Sequence, residues 1–293
     1  MTTSPPAIPF LESSPEIAAG APALVGVPFE GTACFRKGMA GGPDAIREFS
    51  NGIESYSPLL GCDLNSVVFT DLGNLALDTE DAEKISRRVD DACHQLFVDE
   101  VIPILLGGEH SFTPGAVAAA LRHHPDLTVL QLDAHADLRE EWTASRWSHA
   151  CTMRRIMDIL PPERLLQCGI RSGTAEEFAE LRNSGRLVPA DADRLLPALK
   201  ALGDAPLYLT FDLDLFDPAA FPGTGTPEPG GIDWKTFENI IQIVPWQRVV
   251  ACDIVELAPA LDPSGCSALL AAKVVREIVL SLAEPQTSAG QNR

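Results

Sequence analysis

Apolar residues in this chain gather in short continuous runs rather than in alternation with polar ones. Ala23–Val27, Ser66–Thr70, Val101–Leu106, Thr128–Leu132, Leu165–Gly169, Leu207–Phe211 and Arg248–Ile254 read as strands. A strand with one wet face alternates; a continuous run suits a strand covered on both faces, as in a parallel sheet. Between these runs, helical patterns cover Pro43–Phe49, Asp81–Val98, Thr113–Arg122, Thr174–Ser184, Asp193–Leu202, Trp234–Ile243 and Ser267–Leu282. Pro43 suits a first helical turn and Asp233 an N-cap. The end-to-end alternation of strand and helix predicts an α/β fold with a mainly parallel sheet. No linker interrupts it, so residues 21–283 are read as one catalytic-sized domain. Residues 1–20, rich in Pro, Ser and Glu, are expected to be a flexible lead-in, and 284–293 a disordered polar tail.

Composition narrows the partners. An apolar fraction of 45% is ample for a large core. The net charge of −19 argues against nucleic acid or an anionic membrane surface as a partner and is compatible with a small cationic substrate. Seven cysteines, an odd count without a Cys-x-x-Cys, suit free thiols in a reducing compartment. With no secretory signal and no apolar run long enough to span a bilayer, a cytoplasmic location is expected.

Three strand ends carry the chemistry. Asp133-Ala134-His135-Ala136-Asp137 follows the run ending at Leu132, and in extended backbone its three polar side chains share a face. Two carboxylates and an imidazole crowded together repel unless a cation sits among them. Asp212-Leu213-Asp214 repeats the device after Leu207–Phe211, and Gly107-Gly108-Glu109-His110 ends Val101–Leu106. In open parallel α/β sheets ligands bind at such carboxyl ends. His110, Asp133, His135, Asp137, Asp212 and Asp214 are too many donors for one small ion and suit two divalent ions. Oxygen-rich, thiolate-free ligation points to Mn²⁺, with Ni²⁺, Co²⁺ or Fe²⁺ as alternatives. The expected reaction is metal-assisted hydrolysis of a polarised carbon. His149, on the following loop, is placed to shuttle a proton, and Glu256, at the end of Val249–Val255, to face a cationic substrate with Asp253 in support. The Pro- and Gly-rich loop 217–231 is expected to wall the site.

These segments, with Asp217-Pro218 and Pro222-Gly223-Thr224-Gly225-Thr226-Pro227, resemble the three signatures of the ureohydrolase family, which includes arginase and agmatinase. The resemblance implies a three-layer α/β/α sandwich, two Mn²⁺ ions, a trimer or hexamer, and hydrolysis of a guanidino group by a hydroxide shared between the ions. By resemblance His110 and Asp137 serve one ion, His135 and Asp214 the other, and Asp133 and Asp212 bridge. His149 corresponds to the proton-shuttling histidine and Glu256 to the glutamate that pairs with the guanidinium. Leu138-Arg139-Glu140-Glu141-Trp142 and the 31–38 loop are similar to bacterial and archaeal agmatinases, which makes agmatine, cleaved to putrescine and urea, the expected substrate. Glu140 or Glu141 turned inward favours an amine tail; Arg146 turned inward favours a carboxylate, as in guanidinobutyrate. Aminopropylagmatine, guanidine and arginine are the other candidates. A catalytically silent binding protein would be marked by a lost ligand, and all six are present. Cys34-Phe35 stands where the family more often has a hydroxyl and a Tyr.

Overall fold

The computed structural model describes residues 1–283, so the expectation for 284–293 lies outside the described residues. Its strands are β1 (Thr3–Ser4), β2 (Pro22–Val27), β3 (Tyr56–Ser57), β4 (Cys62–Asp63), β5 (Thr70–Leu75), β6 (Ile102–Gly107), β7 (Thr128–Leu132), β8 (Leu165–Cys168), β9 (Leu187–Val188), β10 (Leu207–Asp212) and β11 (Val249–Val255). The helices are α1 (Gly42–Ser50), α2 (Ala82–Val98), α3 (Thr113–His123), α4 (Thr152–Met157), α5 (Ala175–Ser184), α6 (Ala192–Ala201), α7 (Trp234–Ile243) and α8 (Cys266–Leu282). Nine strands form one sheet in the order β1-β5-β2-β6-β11-β10-β7-β8-β9, while β3 and β4 pair as a separate hairpin. Within the large sheet all pairings are parallel except that of the edge strand β1 with β5.

The continuous apolar runs are explained by the layers. Within β10, Leu207, Leu209 and Phe211 join the core under α1, α6, α7 and α8, whereas Tyr208 joins the one under α2–α5. The same alternation holds in β6, where Ile104 and Leu106 face one core and Leu105 the other. Both faces are dry, so each residue of a central strand is apolar or hydrogen-bonded. The expected α/β architecture, a largely parallel sheet between helical layers, is what the chain adopts.

Two differences are instructive. Ser66–Thr70 was expected as a strand, but Leu64–Ser66 is a 3₁₀ turn capped by Asp63, and pairing begins at Thr70. The strand proper, Thr70–Leu75, carries Asp71 and Asn74, whose polarity hid it; both are consumed by Arg47 of α1. Residues 1–20, expected to be a flexible lead-in, are held to the sheet at several points, a bridge from Ser14 to Thr70 among them. Thr3 and Ser4 pair with Leu75 and Asn74, and the buried Phe10 packs edge-on to Phe69. No helix among the described residues is long and apolar enough to cross a membrane.

Candidate metal centre

Four neighbouring strands, β6, β11, β10 and β7, deliver His110, Glu256, Asp212 with Asp214, and Asp133 to Asp137 to one edge of the sheet. The approach at His110 requires glycine: a Cβ on Gly108 would lie 2.0 Å from the Phe29 carbonyl oxygen. The Glu256 backbone N–H then donates to the Gly108 carbonyl at 2.9 Å, and its carboxylate accepts the His110 backbone N–H at 2.7 Å.

The strip Asp133–Asp137 is not a straight extension of β7. Asp133 accepts the His135 backbone N–H at 2.6 Å in a local turn, and Asp137 takes φ of 53°. That left-handed bend, which Asp tolerates better than most residues, swings the Asp137 carboxylate to 3.1 Å from His110 Nδ1. Glu256 sits at φ 70°, a second strained residue in the same site. The three residues that alternate in the sequence do come together, although a turn rather than a pleat brings them there.

The imidazole of His110 is set by its hydrogen bonds. Thr210 donates its hydroxyl proton to Asp253 at 2.6 Å, so it accepts from His110 Nε2 at 2.7 Å. Asp253 is itself buried and also accepts from Tyr208 and Thr113. In the neutral ring Nδ1 therefore presents a lone pair, and it has no hydrogen-bond partner. It faces Asp133 at 3.3 Å, Asp137 at 3.1 Å and Asp212 at 3.5 Å. On the other side His135 Nδ1 lies 2.9 Å from Asp214 Oδ2, a buried oxygen that likewise has no hydrogen-bond partner. A lone pair aimed at carboxylates is unfavourable unless a proton or a cation stands between them.

The site's titration has the same cause. Burial, with Asp214 and Asp137 close by, pushes Asp133 up to about 7. Burial and the charges of Asp214, Asp133 and Glu256 raise Asp212 well above the usual carboxylate range. Against burial, the charge and hydrogen bond of Asp214 raise His135 to about 10. Burial pushes Glu256 up to about 8, opposed by the charge of His149 and reinforced by that of Glu109. The folded chain thus creates an excess of buried negative charge that calls for positive charge.

The donor set fits divalent cations. Two groups of ligand atoms, His110–Asp133–Asp212 and Asp133–His135–Asp214, each lie within 4.8 Å of one another, and Asp133 belongs to both. Asp137 reaches the first group through His110.

Above the strip opens a cavity of about 180 Å³. His110, His135, Asp137, Asp212, Asp214, His149 and Glu256 line it, so these sequence-predicted residues converge. Thr226 brings the 217–231 loop to the wall; Asp217 pins that loop by accepting the Gly230 and Gly231 N–H groups at 2.8 and 3.2 Å.

Glu140, Glu141 and Arg146 do not join it. All three side chains are exposed, and Glu140 pairs outward with Arg155 at 3.1 Å and Arg154 at 3.3 Å, with Arg146 at 3.9 Å. Their outward turn has a local cause. Trp142 and Ser145 exchange backbone hydrogen bonds at 2.9 and 3.0 Å around Thr143 and Ala144, both at positive φ. This tight reversal turns Arg139 and Trp142 into the pocket instead, the guanidinium 4.1 Å from the indole centroid. Sequence reasoning passed over Arg139, Trp142 and Cys34 as pocket residues. The only signal was a Trp among charges, and it required knowing the turn.

A family model described as the arginase family matches residues 21–281. An agmatinase from Halalkalibacterium halodurans is 37% identical over 261 residues, covering 88% of this chain and 90% of that one. An N(1)-aminopropylagmatine ureohydrolase from Thermococcus kodakarensis is also 37% identical over 261 residues, covering 86% of this chain and 87% of its own. Among solved structures, the agmatine ureohydrolase of Thermoplasma volcanium superposes with a TM-score of 0.81 at 33% identity, covering 90% of each chain.

Proposed function

The chain belongs to the arginase family, and from that premise we propose that it hydrolyses agmatine to putrescine and urea. The observation that carries the reading is the convergence of the carboxylate-rich strip, His149 and the buried Glu256 on one small cavity. His110, Asp133, His135, Asp137, Asp212 and Asp214 would hold two divalent cations, which we assign to Mn²⁺ on the oxygen-rich, thiolate-free donor set. When bound, such a pair supplies an ionised water near neutral pH and offsets the carboxylate charge.

The chain's own groups do the rest. Glu256 is raised to about 8 in isolation by burial, and a guanidinium docked against it restores the carboxylate and is held in place. Asp137, strained at φ 53°, is positioned to accept a hydrogen bond from the attacking water and orient it. His149 is raised to about 9: burial opposes the charged ring, but the hydrogen bond with Cys34 and the charges of Glu256, Glu109 and Asp137 outweigh it. It therefore carries a proton at neutral pH and serves as the general acid for the leaving amine. Residues 21–283 are proposed as a single catalytic domain, active as a cytoplasmic homo-oligomer, a trimer or hexamer, in line with the family resemblance.

A second reading, a guanidino acid such as guanidinobutyrate, is favoured by Arg139, whose guanidinium lines the cavity. One panel separates the two. Protein loaded with Mn²⁺ is given agmatine, aminopropylagmatine, guanidinobutyrate, guanidine and arginine, and urea is quantified. Agmatine should show the highest kcat/KM. Guanidinobutyrate in first place would establish the second reading, and arginine in first place would overturn both.

A further inference from the structure

Cys34 stands at the mouth of the cavity, exposed, with its sulfur 3.4 Å from His149 Nε2. The proton positions follow from the partners on the far side of the ring. Thr32 gives its hydroxyl proton to Glu109 at 2.6 Å, so toward His149 Nδ1, 3.1 Å away, it is an acceptor. It also accepts the His149 backbone N–H at 3.0 Å, which fixes the ring's position. In the neutral tautomer Nε2 then presents its lone pair to the Cys34 S–H. Passage of that proton to Nε2 makes a thiolate–imidazolium pair.

A second observation points the same way. The indole N–H of Trp142, which lines the same cavity as Cys34, is buried and has no hydrogen-bond partner among the described residues. A thiol is a weak acceptor and leaves that donor unmet; a thiolate satisfies it. The His149 hydrogen bond outweighs partial burial and, with its charge and Trp142, holds the thiol below its ordinary value. The other charged groups around the pair are Arg139, stacked on Trp142, and the carboxylates of Glu109, Asp137 and Glu256 behind the imidazole.

We propose that Cys34 is an activated thiol and a modification site, which exchanges with small disulfides and thereby closes the pocket reversibly. The thiolate attacks one sulfur of the disulfide. A new S–S bond forms to Cys34 while the original S–S bond breaks. The departing thiolate takes the proton that Cys34 passed to His149, so the Cys34 sulfur is oxidised as the small disulfide is reduced to thiol and adduct. This inference is independent of which guanidino compound is hydrolysed.

The test reads the sulfur, not turnover. Purified metal-loaded protein is treated with iodoacetamide between pH 5.5 and 9, and the alkylation rates of Cys34 and Cys266, the other exposed thiol, are compared by peptide mass spectrometry. At pH 7 Cys34 should react about tenfold faster, with a pH midpoint below that of Cys266. In His149→Asn the advantage should vanish and the midpoint rise. Glutathione disulfide should leave one mixed disulfide on Cys34, removed by reductant, with urea release lost and regained in step. Equal rates for the two thiols in the unsubstituted protein would overturn the proposal even if His149→Asn failed to fold. So would an unshifted Cys34 midpoint in a folded His149→Asn. A Cys34 adduct that left turnover intact would overturn the closure.

Discussion

Two of the buried charge clusters in this fold differ in kind, one around Arg47 of α1 and one at the carboxyl ends of the central strands. In the first, Arg47 is fully buried and donates to both Asp71 oxygens at 2.9 and 3.1 Å, to Asn74 at 2.6 Å and to the Gly73 carbonyl at 3.1 Å. Asp71 accepts as well from the Phe10 and Gly73 backbones. One cation meets one buried anion, and every remaining donor has an acceptor. In the second, Asp133, Asp137, Asp212 and Asp214 face two imidazoles, and His110 Nδ1 and Asp214 Oδ2 have no hydrogen-bond partner. The first cluster is complete in the chain alone. The second is complete only with something added. Buried charge by itself therefore does not mark a site; imbalance does.

That contrast can be broken most severely at the strip. Asp212→Asn should lower urea release by roughly 10³-fold or more and deplete bound cation, since a carboxylate of the proposed cation-binding group is lost. Its metal-free form should be no less stable than the unsubstituted metal-free chain, because a repelling buried carboxylate has gone. Full turnover with two ions per chain would undo the assignment. At the balanced cluster the pattern inverts. Arg47→Met should cost about 3–5 kcal/mol in denaturant unfolding by stranding Asp71, while the fraction that stays folded keeps its turnover. A smaller effect is expected at His149: His149→Asn should reduce kcat by about 10²-fold at neutral pH with KM little changed.

The comparison also predicts opposite responses to pH. Asp133 and Glu256 in the metal-free fold are raised to about 7 and about 8, above the values near 4 of an unfolded chain. A raised carboxylate contributes stability that is fully present below its unfolded pKa and lost as pH climbs through the folded one. Metal-stripped protein should therefore lose thermal stability steadily from about pH 4 to pH 8. Cation-loaded protein should not, because the ions offset the charge. Parallel curves for the two forms would show that the strip is not where cations act. The mildest expected change is at the surface: Glu140→Gln should shift stability by less than about 1 kcal/mol and leave KM for agmatine within about twofold. A large rise in KM would return Glu140 to the substrate tail.

Much of this was legible along the chain. The helix Trp234–Ile243 begins where Asp233 caps it, its carboxylate accepting the Thr236 N–H at 2.8 Å, and such local signals survive any packing. The strand at Thr70–Leu75 was not legible, because Asp71 and Asn74 look wet until Arg47 arrives from α1. The same holds for Phe10, whose burial depends on Phe69 far along the chain.

By itself the sequence determined the layers and the strand ends at which His110, Asp133, His135, Asp137, Asp212, Asp214 and Glu256 gather, because apolar runs and strand-end placement are local properties that a parallel sheet converts into a shared edge. Tertiary structure alone decided which way the 138–146 segment faces. There Glu140 turns to Arg154 and Arg155, Arg139 and Trp142 turn to the cavity, and Cys34 meets His149 from a loop more than a hundred residues away. Those choices rest on the reversal at Trp142–Ser145 and on long-range partners, neither of which composition or spacing encodes.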